Sequence, residues 1–183
     1  MKPAKIPRLA VPPEFVYRLF YPQIPIVVTA AFHAAVAAMP AVSCISISND
    51  PPTIAAAVGK SLRTNRILKR AKTFGISWFH FKDRKILELL SVSGKKGNKL
   101  KELRVPYRTL FGTPIPRSSM AYVICKKKNV IDVGDHDLFV GHVIGAMAST
   151  DFDEYWMFSD YRPVLYRGSA FRAPFTTIKQ KSV

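Results

Sequence analysis

The chain has 183 residues, of which 48% are hydrophobic and 22% are charged. It is too apolar for an intrinsically disordered protein and long enough to bury the core of one domain. The 14 Pro, 9 Gly and only 2 Cys exclude a long-helix bundle, a disulfide-rich secreted scaffold and an all-cysteine zinc site. We therefore expect many short elements in a protein of the reducing cytoplasm.

The charge is strongly positive and unevenly distributed. The 28 Lys and Arg exceed the 12 Asp and Glu by 16. Residues 60–108 contain fifteen basic and three acidic side chains, whereas residues 131–160 contain seven acids and no Lys or Arg. Such a balance suits an anionic partner, which can be a nucleic acid, an anionic membrane or a phosphorylated ligand.

Residues 24–47 form an uncharged run that is long enough to cross a bilayer. Pro25, His33 and Pro40 interrupt it, and β-branched residues at both ends favour strands over helix. The run therefore predicts a strand at 26–29, a link of small residues and a second strand at 41–48. We expect no membrane span here.

The remaining elements follow from apolar runs bounded by Pro, Gly, Asn or Asp. These runs predict further strands at 53–58, 74–79, 119–126, 138–147 and 163–166. Helical spacing of apolar residues predicts helices at 61–72 and 83–90. Because strands outnumber helices, the predicted class is mainly β, with a closed or nearly closed barrel and a few peripheral helices.

Residues 43–52 are the first candidate for a binding site. Polar and apolar side chains alternate along this segment, which ends in a double proline. Such a strand places small hydroxyl groups on one face and frees the next backbone groups from the sheet, which suits a planar ligand. The alternative is an edge strand with a solvated serine face, and the pattern alone leaves both interpretations open.

Ser61, Arg63 and Thr64 stand at the start of the predicted helix 61–72. Two hydroxyl groups, a guanidinium and the free amides of a helix N-terminus can together bind a phosphate. Ser61 could equally be an ordinary N-cap. Local sequence does not separate these two uses.

His136 lies in a turn between two aspartates, just before a predicted strand. An imidazole beside carboxylates can transfer protons near neutral pH, although a turn histidine is more often a plain surface residue. The 4 His show no metal-ligand spacing. Without GxSxG or GxGxxG motifs, the sequence also gives no support for a serine hydrolase or a Rossmann dehydrogenase.

Taken in order, the segments IPIVVT, SNDPP, SLRTNRI, GISWF, GKKGNKLKEL, GDHDLFVGHV and RPVLYRG resemble the flavin reductase-like family of FMN-binding proteins. The resemblance implies an FMN-binding split β-barrel of Greek-key type over residues 20–172. Residues 1–19 would then be an N-terminal extension, and residues 173–183 a basic C-terminal tail.

The resemblance also implies roles for individual residues. The strand 41–48 would lie along the isoalloxazine ring, and the start of the helix 61–72 would hold the FMN phosphate. His136 would be catalytic, close to the flavin on its nicotinamide side. The implied cofactor-binding residues are Ser43, Cys44, Ile45, Ser46, Ser61, Arg63, Thr64 and Lys99.

The function implied by the resemblance is an NAD(P)H-dependent flavin or ferric reductase, in which NADH or NADPH passes hydride to N5 of FMN. A cytoplasmic homodimer is implied as well. One alternative is an FMN-binding electron carrier or flavin store without efficient turnover. A basic barrel that binds nucleic acid is the least expected, because the aromatic residues of 60–108 are not interleaved with cations as a stacking platform requires.

Overall fold

The computed structural model describes residues 10–92, 97–150, 152–157, 161–169 and 173–178. Its strands are β1 (Ile26–Phe32), β2 (Ala35–Ala41), β3 (Cys44–Asn49), β4 (Pro52–Gly59), β5 (Thr73–Trp78), β6 (Tyr107–Leu110), β7 (Thr113–Pro116), β8 (Ala121–Val133), β9 (His136–Ala148), β10 (Leu165–Tyr166) and β11 (Phe175–Thr176). The α-helices are α1 (Arg63–Arg70), α2 (Arg84–Leu90) and α3 (Lys99–Glu102), and the 3-10 helices are Pro13–Phe20 and Phe81–Asp83.

Seven strands form one antiparallel sheet in the order β2-β1-β5-β8-β9-β4-β3. Its two edge strands curl towards the same interior, because Met39 of β2 and Cys44 of β3 pack against one core cluster. The sheet is therefore a barrel whose edges approach without pairing, with short helices outside it. The predicted class, mainly β with a few peripheral helices, is confirmed.

Large side chains fill the barrel. Phe74, Ile76 and Phe139 are essentially inaccessible to solvent, and Leu68 of α1 packs into the same cluster. A second cluster lies on the other face of β1, where Val27 meets α2. Because β1 is covered on both faces, its sequence is a nearly continuous apolar run and not an alternating one.

The predicted link of small residues between strands 26–29 and 41–48 is wrong, because most of it forms β2. A two-residue turn with His33 at φ 50° joins β1 to β2, and Pro40 lies opposite Val27. An edge strand tolerates a proline because its outer side needs no amide donor. Pairing with β1 thus overrides the weak strand propensity of the alanines.

The hairpin of β8 and β9 is longer than the predicted strands 119–126 and 138–147. It continues to a two-residue turn in which Gly134 has φ +81°, a conformation that glycine adopts without strain. The residues of β8 near this turn are exposed. They therefore lack the apolar alternation that would predict a strand.

The chain ends fall partly outside the described residues. The 3-10 helix Pro13–Phe20, in the predicted extension 1–19, buries none of its side chains. In the predicted tail 173–183, Phe175 is buried and pairs with Tyr166. Every helix in the described part of the chain is too short or too polar to span a bilayer.

Candidate functional site

The outer face of β4 and β9 positions the candidate site. Along β4, Ala56 and Val58 point into the barrel core, so the residues that alternate with them, such as Ala57 and Gly59, face outwards. On that outer face Ala57 lies opposite Leu138, and Gly59 lies opposite His136 at the next outward-facing pair. Small side chains therefore leave an open surface beside the strand that leads to α1.

A cavity of ≈ 500 Å³ lies over this surface. Its volume is within the usual range for small-molecule sites, about 300–1,000 Å³. Most of the lining is apolar, with a single amide side chain and a single hydroxyl. The lining residues are Gln23, Ile24, Ile26, Val42, Ser43, Cys44, Ile45, Ala55, Ala57, Trp78 and Leu138.

The strand β3 forms one wall of this cavity and is also an edge of the sheet. Its inner side is paired with β4, where the Ala57 amide donates to the Ser43 carbonyl at 2.8 Å. Ile45 is 64% exposed. The outer edge of β3 thus presents backbone groups and an apolar side chain to whatever occupies the cavity.

Three of the four predicted ring-binding residues reach the cavity. Ser43, Cys44 and Ile45 line the cavity, whereas Ser46 lies outside the lining and pairs with Ile54. The Cys44 side chain packs against the barrel core, and burial raises its pKa to about 12. Cys44 is therefore a neutral thiol and not a nucleophile at neutral pH.

The helix α1 begins at Arg63, two residues after the predicted start. Leu62 occupies the N-cap position and no side chain caps the helix, so Ser61 lies in the preceding turn. The interpretation of Ser61 as an ordinary N-cap is therefore wrong. The first turn contains no acidic residue, so its amides and the helix dipole favour an anion. Thr64 is buried within that turn.

Arg63 and Lys99 bring two positive charges close to this turn. The Arg63 guanidinium donates to the carbonyls of Val36 at 3.2 Å and Gly97 at 2.6 Å. Lys99 is only 8% exposed, and its Nζ donates to the Leu90 carbonyl at 2.7 Å. Burial, and then the nearby Arg63 charge, lower the pKa of Lys99. The Lys99 ammonium thus holds the end of α2, a contact that the resemblance did not imply.

A buried polar network fixes α1 against the barrel. Asp137 is 3% exposed and accepts hydrogen bonds from Lys69 Nζ at 2.7 Å and Asn65 Nδ2 at 2.9 Å. The same Asn65 amide donates to the Val58 carbonyl at 2.8 Å. The hydrogen bond from Lys69 lowers the pKa of Asp137. Sequence reasoning missed Asn65 and Asp137, whose only signal was an acid one residue before the predicted strand 138–147.

His136 is the first residue of β9 and lies between the cavity and the start of α1. Its Nδ1 donates to the Asp135 carboxylate at 2.7 Å, which lowers the pKa of Asp135. The side chain is 43% exposed. It is one outward-facing residue away from the Ala57–Leu138 pair, a separation of about 7 Å along a strand. The predicted catalytic role of His136 stays a prediction.

The described residues contain no group of three His, Cys, Asp or Glu side chains that could hold a metal ion.

Comparison with known proteins agrees with the order of the sequence motifs. The model of the flavin reductase like domain matches residues 17–173. An uncharacterized protein of Aeropyrum pernix is 28% identical over 167 residues, which are 87% of this chain and 62% of that protein. The chain thus spans less than two thirds of that relative's length.

Two solved structures share the fold. An FMN-binding protein from Thermus thermophilus, with bound 1-cyclohex-2-enone, has 25% identity and a TM-score of 0.79 over 98% of both chains. An NADH:FAD oxidoreductase from Streptomyces globisporus C-1027 has 22% identity and a TM-score of 0.78 over 96% of this chain and 100% of that one. The predicted split β-barrel is confirmed, and since the family model matches most of the chain, the protein belongs to the flavin reductase like domain family.

Proposed function

We propose that the chain binds FMN, with the ring in the cavity beside β3 and the phosphate at the start of α1. We propose further that it is an NAD(P)H-dependent flavin or ferric reductase. One observation carries the proposal: the cavity, His136 and the first turn of α1 follow one another along the outer face of β4 and β9. Membership of the family supports it.

The cavity has the shape and chemistry that a flavin ring needs. Ala55 and Ala57 leave a shallow floor, and Leu138 and Ile26 extend its apolar surface. The outer edge of β3 supplies backbone donors and acceptors for the polar edge of the ring. A flat ring with one polar edge therefore fits a cavity with an apolar floor and with backbone amide and carbonyl groups along one side.

The start of α1 has the charge that a phosphate needs. Lys60 and Lys69 are paired with the carboxylates of Asp132 and Asp137. Arg63 donates to two carbonyl oxygens, which orient the guanidinium beside the first turn of α1. Together with uncapped helix amides, this arrangement favours an anion at the first turn.

The redox chemistry belongs to the cofactor: a bound flavin takes two electrons from NADH or NADPH and passes them to an acceptor. The chain supplies position and charge. Asp135 orients the His136 ring through Nδ1, and Nε2 faces Gly59, 3.7 Å from where a Cβ of that residue would lie. We propose that His136 contacts the nicotinamide or the ring edge and holds a proton there.

The phosphate role is tested by comparing FMN with riboflavin, which lacks the phosphate. The double variant Ser61→Ala, Arg63→Ala should lose at least about tenfold in FMN affinity, because charge-assisted hydrogen bonds contribute about 1.5–3 kcal/mol each. Riboflavin affinity should stay within about twofold. Arg66→Ala, at an exposed position of the same helix, is the matched control. Equal losses for both flavins would refute the phosphate role.

The reductase activity is tested separately, by following NADH and NADPH oxidation with excess free flavin. Oxidation of at least one nucleotide, abolished by removing the flavin, is the expected result. An FMN-loaded protein that oxidises neither nucleotide would instead be an electron carrier or a flavin store.

We also propose a homodimer. Ile45 and Ile47 are exposed on the edge strand β3, and an exposed apolar edge is normally covered by another chain or element. Sedimentation velocity on the purified chain should give twice the monomer mass of 20.5 kDa. A monomer at micromolar concentration would refute this arrangement.

A further inference from the structure

A second cavity, of ≈ 490 Å³, lies where β5 and β9 end and β8 begins. Its floor is a row of paired residues in which Ala121 stands between Trp78 and Ala148. The next pair on this face of the hairpin joins Val123 to Ala146. The three alanines have no side chain large enough to fill the space beside the indole of Trp78, and this creates the cavity.

An aromatic segment forms the opposite wall. The chain turns back after β9, where the Ser149 amide donates to the Met120 carbonyl at 2.7 Å. The ring centroids of Phe152 and Trp156 lie 5.1 Å apart, and those of Trp156 and Tyr161 lie 4.6 Å apart. These ring contacts hold Trp156 over the alanine floor.

The lining carries no charge among the described residues that form it. Besides the three alanines and Val123, it consists of Trp78, Tyr122, Met147, Phe152 and Trp156. A nucleotide or carboxylate would lose its hydration here without gaining a cation. A flat apolar ring would gain contact with two indoles and replace water over alanine.

We propose that this second cavity binds a flat, uncharged aromatic molecule of about two fused rings, the class that includes naphthoquinones. Trp78 lines both this cavity and the one beside β3. One indole therefore separates the occupant from the proposed flavin ring. Trp78 is the only described residue that lines both cavities. We therefore expect the second cavity to bind its ligand whether or not a flavin is bound.

The two tryptophans of the chain are Trp78 and Trp156, so fluorescence reports on the site directly. In the Trp78→Phe variant Trp156 is the only tryptophan left to fluoresce. Trp156 lines the second cavity and not the cavity beside β3. Titration of this variant with 2-methyl-1,4-naphthoquinone, an uncharged quencher, should show saturable quenching at one molecule per chain. Quenching that rises linearly without saturation would overturn the proposal.

A matched pair of variants locates the probe. Ala148→Lys places an ammonium over the floor and should weaken probe binding at least tenfold, because the charge would be desolvated by the bound ring. Ala34→Lys makes the same change at an exposed position in the turn between β1 and β2 and should have no effect. Unchanged binding in Ala148→Lys, or equal losses in both variants, would overturn the proposal.

Equilibrium dialysis with and without saturating FMN separates this site from the flavin site. Probe affinity should be the same within about twofold in both conditions, whereas displacement by FMN would place the probe in the cavity beside β3 and overturn the proposal. If FMN fails to bind at all, the flavin proposal fails while the quinone titration still stands. Sedimentation of Ala148→Lys should match wild type, and a change in mass would show that a second copy covers this face.

Discussion

The cavity beside β3 is walled by alanine, isoleucine, valine and leucine, whereas the start of α1, a few residues further along β4, is surrounded by charged and hydrogen-bonded groups. The cavity wall works through shape, since its small side chains leave space and its edge strand leaves backbone groups. The α1 start works through electrostatics, since Arg63, Lys69, Asn65 and Asp137 are held in fixed positions by named partners.

This difference predicts how each region fails. A charge introduced into the apolar region should lower the affinity for every ligand that carries the flavin ring. Removal of a charge from the α1 region should lower only the affinity for ligands that carry a phosphate, or the stability of the fold. Flavins with and without phosphate therefore separate the two regions in one pair of titrations.

The largest effect is expected for Ile45→Lys. Its ammonium would lie over the cavity beside β3, so affinities for FMN and for riboflavin should both fall by at least about tenfold. Ile178→Lys, at another exposed isoleucine outside both cavities, should leave both affinities unchanged. If the lysine weakened riboflavin but strengthened FMN, it would lie near the phosphate and our assignment of the two regions would be reversed.

A smaller effect is expected for Asp137→Asn, measured as the midpoint of thermal unfolding. The variant loses the buried pairing with Lys69, so its midpoint at pH 7 should fall more than that of Asp132→Asn, which loses an exposed pair with Lys60. Equal decreases would show that the network around Asp137 is no more important than a surface ion pair.

The difference between wild type and Asp137→Asn should also depend on pH. The pKa of Asp137 is lower in the folded chain than the ordinary value of about 3.9. Its stabilising contribution is therefore complete above that ordinary value and is lost as the pH falls through the folded pKa. Unfolding at pH 7, 5 and 3 should show a constant difference at the first two values and a smaller one at the third.

The smallest effect on binding is expected for His136→Ala, which removes a partly exposed ring between the two regions. FMN affinity should change by less than about twofold, while the rate of flavin reduction by NADH or NADPH should fall. A stopped-flow measurement of both rates in the FMN-loaded protein checks this. An unchanged rate with both donors would leave His136 a surface residue, and loss of FMN at an unchanged rate per bound flavin would make it a binding residue.

Local patterns predicted much of the fold. Alternation or a bounded apolar run located β4, β5 and the cores of β8 and β9, and helical spacing located α1 and α2. The strand β2 could not be predicted, because alanines and Pro40 become a strand only when β1 pairs with them. The tip of the β8–β9 hairpin was missed for a related reason, since the β8 residues next to its turn are exposed and show no apolar alternation.

The site was predictable only where its residues are neighbours in sequence. Ser61 and Arg63 lie together before or at the start of a helix, so their spacing offered an anion site as one of two interpretations. Asn65 and Asp137 lie 72 positions apart and meet only in the folded barrel. Lys99 was implied only by the family resemblance, and the contact of α3 with the end of α2 decides that its Nζ meets the Leu90 carbonyl.

A crystal structure of the full chain with FMN would show directly where the ring and the phosphate bind. We predict the isoalloxazine ring over Ala55 and Ala57, beside β3, with the phosphate oxygens within hydrogen-bond distance of Arg63 and the turn at Ser61. His136 would then lie beside the bound molecule. A ring bound in the second cavity, or a phosphate directed away from the first turn of α1, would contradict this prediction.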